Sequence, residues 1–586
     1  MSLKRNSKLI NRKFITYLIP SILMIFAMQF GSLVDGILVG NFIGNEALSA
    51  SSLVLPVLYV AQIPGFALGI GGSIVVANLL GKRDVIGAKK AFSFSFIIGM
   101  GISLVFAALS FAISQPLAAL FGESSLEYSY PYVFVYLLTD PIITFALIIG
   151  SFMAVDNNPR LSSIFYIVSN VAKVGLEIIF IQVASMGMYG AALSTGAGYF
   201  VGLIVVIFYF KSDKRILTLT FKIKDSGAKE IFKASSTSAV NLLLTATQML
   251  IVNIFVGKLL VDFDLVVYGL ISNMVFLFDL LCGGVLNIIP NLCGIFYGEK
   301  DYYSLKSIAK KIYLINIAIT VLISLFILIF PNAYCAIFGY ENNVETQYVN
   351  MVLWVYLLSF IPYEINKFSM NYYPTIDKNV PSMLTVLLRE LIIVLPLTLG
   401  LLHSHGLLGY SIASAVNEIA TVVIIYIFLI FYNKKKKLSG VFMIEKLNFE
   451  SFDVSLDNEE QNASIVSEQI TEFAKSHNVP NRESQIVGLA SEEMVANIIT
   501  YGYKKKSHNY IDVNLKIIDD TLILRIRDDG VPFDPTKYEF DENENYSTSG
   551  IKLIKSVTDK ITYMRMLNLN NTVFEIKIKG EEAYGN

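Results

Sequence analysis

The stretch from Phe14 to Gly40, FITYLIPSILMIFAMQFGSLVDGILVG, carries a single charge, Asp35, in an otherwise uncharged, mostly apolar run. A helix needs about 20 such residues to cross ~30 Å of hydrocarbon. Basic residues precede it (Lys4, Arg5, Lys8, Arg12, Lys13), as in a secretory leader. The run is too long for a cleaved leader and has no clean cleavage site, so it predicts a first transmembrane helix. Further apolar segments follow, centred on 53–79, 91–114, 131–154, 161–183, 188–210, 235–257, 264–296, 307–330, 349–372, 381–402 and 408–431. The expected total is about twelve spans.

Composition agrees, and it conceals a division. Only 16% of the 586 residues are charged, against ~25% in soluble proteins, and mean hydropathy is +0.58. From Val441 onward there are 25 Asp+Glu and 16 Lys+Arg, a net −9. The whole-chain totals of 47 and 46 then leave 22 and 30 for residues 1–440, a net +8. Two unlike halves meet near residue 440. The three cysteines, Cys282, Cys293 and Cys335, lie in apolar stretches with no metal-ligand spacing.

Loops between the spans alternate in charge. Lys82-Arg83, Lys89-Lys90, Lys211 to Lys233, Lys300 to Lys311 and Lys434 to Lys437 are basic; Asn41 to Ala47, Gly122 to Glu127, Gly339 to Gln347 and His403 to His405 carry little base. The positive-inside rule then places both termini in the cytoplasm, with the chain in the plasma (inner) membrane.

The apolar half repeats itself. GKRDVIGAKKAFS from Gly81 matches GEKDYYSLKSIAK from Gly298, an offset of 217. LFG at Leu120 matches IFG at Ile337, VYLL at Val135 recurs at Val355, and GMYGAALSTG at Gly187 matches GLLGYSIASA at Gly406. Two six-helix lobes in the same orientation are expected, residues 1–218 and 219–437, with 438–445 as linker and 446–586 as a separate domain. Paired repeats with a site between them are transporter architecture.

A charge in mid-membrane costs several kcal/mol and is a functional candidate by default. Asp35, Asp140, Lys173, Glu177, Asp279, Glu364, Lys367, Arg389, Glu390 and Glu418 qualify. Lys173 with Glu177, and Glu364 with Lys367, share helix faces. That spacing serves a charge-neutralising structural pair as well as an ion path. Asp35 has no charged neighbour in its own segment and needs a partner from another helix. Pro141, Pro290, Pro362 and Pro396 suggest kinks near a cavity. Gln62, Gln248, Asn253 and Asn287 are candidate pocket residues, though each also suits a structural role.

These residues resemble a known family. LIPSILMIFAMQFGSLVDGILVGNFIGNEALSASSL, ANLLGKRDVIGAKKA, MGMYGAALST and LLRELIIVLPLTLGLLHSHGLLG are similar to the corresponding segments of multidrug and toxic compound extrusion (MATE) transporters, over about residues 10–435. The resemblance implies two six-helix bundles exporting a small-molecule solute against a sodium or proton gradient. It places Asp35 on the first-helix aspartate used for cation coupling, with Glu177 beside it. The family's fifth-helix Asn-x-x-x-Asp reads Lys173-Val-Gly-Leu-Glu177 here. A lysine in place of a neutral ligand would repel a bound sodium.

After Lys437 no apolar span appears. Residues 447–456 alternate like a strand, and 462–476 and 483–501 read as amphipathic helices. YIDVNLKII and TLILRIRD read as a hairpin about Asp519-Asp520, followed by a short helix over 550–557 and the strands KITYMRM and NTVFEIKIK. This predicts an α+β sandwich. Glu493 and Asn497 share a helix face, where a carboxylate and a carboxamide can hold magnesium or a reacting hydroxyl. Asp528 ends a strand before the Gly530 turn, suited to accept from an adenine amino group. Thr548-Ser549-Gly550 opens a helix whose N–H groups suit phosphate. Singly, each motif also fits a solvated face, a turn or a cap.

Their order resembles the GHKL ATPase fold of histidine kinases, and within it the anti-sigma-factor serine kinases. The resemblance implies ATP and Mg2+ as cofactors, with Asn497 as metal ligand, Glu493 as catalytic base, Asp528 as adenine contact, and Gly530, Thr548 and Gly550 in the nucleotide loops. It departs at Tyr501, where kinases carry histidine, at Thr548, often glycine, and in the acidic segment 534–546. It also implies serine/threonine kinase activity toward a partner such as a STAS-like anti-anti-sigma protein, and pairing into a homodimer. No nucleic-acid partner is expected. Two readings follow: a MATE-like exporter with an ATP-binding regulatory or kinase-like domain, or a membrane-tethered serine kinase using the transporter fold as sensor. An ATP-powered pump is disfavoured, since nothing matches G-x-x-x-x-G-K-[ST].

Overall fold

The computed structural model describes residues 4–120, 125–260, 262–338, 346–445, 449–503, 509–537 and 549–579. It divides into two compact units, Thr16–Ile444 and Met1–Ile15 with Glu445–Asn586. Residues 4–15, expected in the first lobe, fall in the C-terminal unit.

The larger unit is helical as far as Lys436 and closes on two short strands, Leu438–Ser439 and the start of Ile444–Glu445. Its elements are α1 (Lys8–Phe42, which begins in the other unit), α2 (Asn45–Gly81), α3 (Val85–Ala119), α4 (Leu126–Val155), α5 (Pro159–Ile178), α6 (Gly187–Phe210), α7 (Ala228–Leu259) and α8 (Asp262–Leu286). They continue with α9 (Ile289–Gly298), α10 (Tyr302–Ile329), α11 (Pro331–Ile337), α12 (Thr346–Leu357), α13 (Phe360–Thr375), α14 (Asn379–Leu387) and α15 (Val394–Lys436). Among the described residues, 11 stretches are long and apolar enough to cross a membrane. The last, Asn379–Lys436, contains Gly406 at φ 58°, ψ −142°, which breaks it in two. Twelve spans result among the described residues, as the hydropathy pattern predicts. Pro290 begins α9 and Pro362 lies in the first turn of α13, both where a span breaks into two helices, whereas Pro141 sits inside an unbroken α4.

The repeat is visible in backbone geometry. Left-handed residues recur in pairs: Arg83 (φ 65°) with Lys300 (φ 54°), Asn157 (φ 60°) with Asp377 (φ 58°), and Gly187 (φ 55°) with Gly406 (φ 58°). The differences, 300 − 83 = 217, 377 − 157 = 220 and 406 − 187 = 219, match the sequence offsets. Each of the first pair precedes an N-capping aspartate. Asp84 accepts from Gly87 N at 2.8 Å and Asp301 from Ser304 N at 3.1 Å, satisfying the open first turns of α3 and α10.

The motif's glycine has a separate task. α2 packs along α7 and α9. A Cβ on Gly81 would lie 2.3 Å from Ile295 O and 2.9 Å from the Gly298 Cα; one on Gly298 would lie 2.2 Å from Asn78 O. The two repeat-related glycines therefore touch backbone to backbone, and the ends of α2 and α9 meet beside the basic loops.

The smaller unit is an α+β sandwich. After a two-residue ladder, β1 (Leu438–Ser439) with β2 (Ile444–Glu445), come β3 (Glu450–Asp457), α16 (Gln461–Ser476), α17 (Asn481–Tyr501), β4 (Tyr510–Ile518), β5 (Thr521–Asp528), α18 (Ser549–Val557), β6 (Lys560–Met566) and β7 (Leu569–Lys577). The antiparallel sheet runs β3-β4-β5-β7-β6. Alternation sends Val454, Leu456, Ile511, Val513, Leu515, Leu522, Leu524, Ile526, Phe574 and Ile576 to one face, where they pack with Val466 and Ile470 of α16 and Val487 and Met494 of α17. Asp519 takes φ 49° in the two-residue turn joining β4 to β5. β3 starts at Glu450, three residues later than read from the sequence, and residues 446–448 lie outside the described residues.

Gly298→Val should force the ends of α2 and α9 apart. Cys293 on α9 is fully buried. Its alkylation by a small thiol reagent, followed by mass spectrometry, should quicken by about tenfold, the effect of roughly 1.4 kcal/mol toward the open arrangement. An unchanged rate would mean the glycine contact does not hold this end shut.

Candidate functional site

In the membrane unit the site begins with a close helix approach. A Cβ on Gly31 of α1 would lie 2.3 Å from Asn170 Oδ1 of α5, so these helices touch where Gly31 has no side chain. One turn further along both, Asp35 faces Lys173, with the ammonium 3.3 Å from Asp35 Oδ1 and the two side chains 16% and 12% exposed. A second turn along α5 brings Glu177, fully buried, against Asp35. Among the described residues neither Glu177 oxygen has a hydrogen-bond donor. Tyr132 of α4 packs on the same pair. α5 passes into a π-helical turn at Ile179–Val183, two residues beyond Glu177; such turns are frequent at functional positions. Sequence reading gave Asp35, Lys173 and Glu177, and they do converge. It did not foresee that Lys173 would pair with Asp35 of another helix, nor Tyr132, which no local motif marks.

The second lobe holds a larger network, and here the expected intrahelical pair is not the one formed. Lys367 bonds Asp279 of α8 at 2.5 Å, while Glu364 accepts from Asn316 of α10 at 2.8 Å. Tyr363 also donates to Asp279 (2.9 Å). Arg389 lies in a second π-helical turn, Leu388–Ile392, and reaches Glu418 (2.7 Å) and Glu390 (2.5 Å). Asn366 donates to Glu418 (2.7 Å). Asp140 is fully buried on α4 beside Thr144. Of the pocket candidates, Asn287 lines a narrow cleft with Met24, Ser162, Tyr166, Pro290 and Asn291. Gln62 is bonded to Tyr136 (2.8 Å) and Asn253 to Tyr268 (3.2 Å).

In the smaller unit the register of β5 on β7 sets Asn570 opposite Asp528. Asn570 Nδ2 donates to Asp528 Oδ1 at 2.9 Å, and Gly530 N donates to the same oxygen at 2.8 Å. Asn570 is held in turn by Arg565 (2.6 Å) and Tyr563 (2.8 Å). Burial pushes the Asp528 carboxyl up to about 6, against the pull of these hydrogen bonds. A Cβ on Gly530 would lie 2.4 Å from Gly502 O, so only glycine fits this turn. Asn497 Nδ2 is buried without a partner among the described residues, one turn from Glu493 on α17. A Cβ on Gly550 would lie 1.9 Å from Glu493 Oε2, so Glu493 rests on the start of α18. Thr548 and most of the acidic segment 534–546 lie outside the described residues. Asn570, Arg565 and Tyr563 were missed, since only strand register brings them to Asp528.

A family model described as MatE matches residues 20–179 and 238–399. The chain belongs to the MatE family. A second model, histidine kinase-like ATPase domain, matches residues 456–574, the segment that forms the α+β sandwich. This MatE chain is 28% identical over 278 residues to the multidrug export protein MepA of Staphylococcus saprophyticus, 45% of this chain and 61% of that one. It is 27% identical over 275 residues to MepA of Staphylococcus aureus (strain MRSA252), 44% and 60% of the two chains. It thus spans about three-fifths of the length of these curated relatives. In fold it matches a MATE multidrug transporter, DinF-BH, solved in complex with a small molecule (TM-score 0.67, 21% identity, 75% of this chain and 100% of that one). It likewise matches a MOP superfamily transporter from Pyrococcus furiosus (TM-score 0.66, 18% identity, 75% and 100%). The MatE chain is thus a multi-pass membrane protein carrying a histidine-kinase-like ATPase domain.

The residues about Asp528 fit a nucleotide: a buried acceptor, a turn only glycine can make, and an unpartnered buried amide at Asn497. An adenine amino group would donate more strongly to an ionised Asp528 than to the neutral acid, whose carbonyl oxygen still accepts. Burial raises its value, so the charged, stronger acceptor is lost as pH falls through about 6. If Asp528 takes the adenine, Mg-ATP affinity of the full chain, by calorimetry, should be level near neutral pH and weaken several-fold below about 6. Constant affinity down to about pH 5 would remove Asp528 from adenine recognition.

Proposed function

We propose that this protein is a proton-coupled exporter of organic solutes whose cytoplasmic domain binds Mg-ATP and regulates transport. The observation that carries the proposal is the Asp35–Lys173–Glu177 cluster. Two carboxylates touch in the membrane and a single ammonium serves them, leaving one net negative charge. Burying it uncompensated would cost several kcal/mol. One proton shared by the carboxylates removes it, whereas sodium would sit against the Lys173 ammonium. Proton arrival and departure at the pair then changes the charge that α1 presents to α5, which is what alternating access requires. The MatE relatives named as multidrug exporters support the solute class. Basic loops on the side of both termini support a cytoplasmic C-terminal domain in the plasma membrane.

In the ATPase domain, Asp528 would take the adenine, Gly530 and Gly550 would shape the nucleotide loops, and Asn497 would hold the magnesium that neutralises phosphate charge. Glu493 rests on the start of α18, where phosphate would approach.

Reconstituted vesicles decide between the readings. Efflux of a lipophilic cationic dye should follow an imposed pH gradient without sodium. Asp35→Asn and Glu177→Gln should each lower the rate by at least about tenfold, as expected on losing a group acting only in the translocation step. Normal efflux by Asp35→Asn would overturn proton coupling at this pair. No efflux from the wild type, with transfer of phosphate to serine on a partner, would make the protein a tethered kinase.

A further inference from the structure

Residues 4–15 belong to the same compact unit as the ATPase domain, and their polar contacts are specific. Arg5 Nη1 lies 2.7 Å from Asp512 Oδ1 on β4, with side chains 6% and 2% exposed. Asn6 N donates to Ser455 Oγ of β3 at 3.1 Å, and Ser455 donates to Asp512 at 2.7 Å. Lys8 lies over the Tyr510 ring. Arg12 and Lys13 meet Asp529 Oδ2 at 3.2 and 3.9 Å, and Lys13 also donates to Asn568 O in the β6–β7 turn (3.2 Å). Asp529 is the next residue after Asp528, and its side chain is only 6% exposed. The basic flank of the first helix is thus built into the turn that shapes the adenine site.

We propose that Arg12 and Lys13 are positioning residues of the nucleotide site. This rests on the nucleotide reading of Asp528 given above. Both cations lie against Asp529 Oδ2, and Asp529 sits between Asp528 and the Gly530 N–H that bonds the Asp528 carboxylate. Anchoring Asp529 therefore holds the turn that aims Asp528. Without the two cations the turn loses that anchor.

The test is Mg-ATP binding to the full chain in lipid nanodiscs. Three proteins are compared: wild type, the double variant Arg12→Gln/Lys13→Gln, and the charge-conserving pair Arg12→Lys/Lys13→Arg. The double variant should bind at least about fivefold more weakly. The charge-conserving pair should restore most of the affinity, which separates positioning from loss of folding. Equal affinities of wild type and double variant would overturn the proposal. No binding by wild type would overturn the nucleotide reading and this inference with it.

Discussion

An ammonium 3.3 Å from Asp35 in the middle of the first lobe sets the terms for the rest of the membrane unit. Charge in hydrocarbon must find a partner, and that partner must come from another helix. Gly31 lets α1 close on Asn170 of α5, and the contact fixes the facing of Asp35 and Lys173 one turn on. The second lobe obeys the same constraint with different residues. Its carboxylates Asp279, Glu364, Glu390 and Glu418 are shared between Lys367, Arg389 and two asparagines. The lobes share backbone geometry at three left-handed positions while differing in which buried charges they carry.

The glycine pair Gly81/Gly298 shows how a repeated motif serves both halves at once. In each copy the aspartate caps the next helix and the residue before it takes the left-handed turn. The glycine is needed for a different reason: it meets its own repeat-mate. An internal repeat therefore does more here than duplicate a lobe, since it supplies the two faces of one contact. Such a contact, made of backbone with no side chain to compress, is either closed or parted.

Much of this was legible in the sequence for physical reasons. Span number follows from the apolar runs, and the break at Gly406 coincides with a repeat landmark. Strand alternation gave the sheet of the ATPase domain, and Asp528 and Gly530 fell at a strand end because a turn must follow. What was not legible required distance in space. Lys367 lies three residues from Glu364 yet bonds Asp279, since the tertiary approach of α8 outweighs a local spacing. Asn570 has no motif and reaches Asp528 only because register sets it opposite. The N-terminal basic residues read only as the leader-like flank of the first apolar run. Their contacts with Asp512 and Asp529 bridge roughly five hundred residues of sequence that no local pattern connects.

The proposed coupling rests on one proton held between Asp35 and Glu177. The most direct measurement is proton release when a lipophilic cationic dye binds the purified protein in weakly buffered detergent near neutral pH. About one proton per protein should leave on binding to the wild type, and none from Glu177→Gln that still binds dye. Equal release by both proteins, or dye binding that displaces sodium instead of a proton, would contradict it.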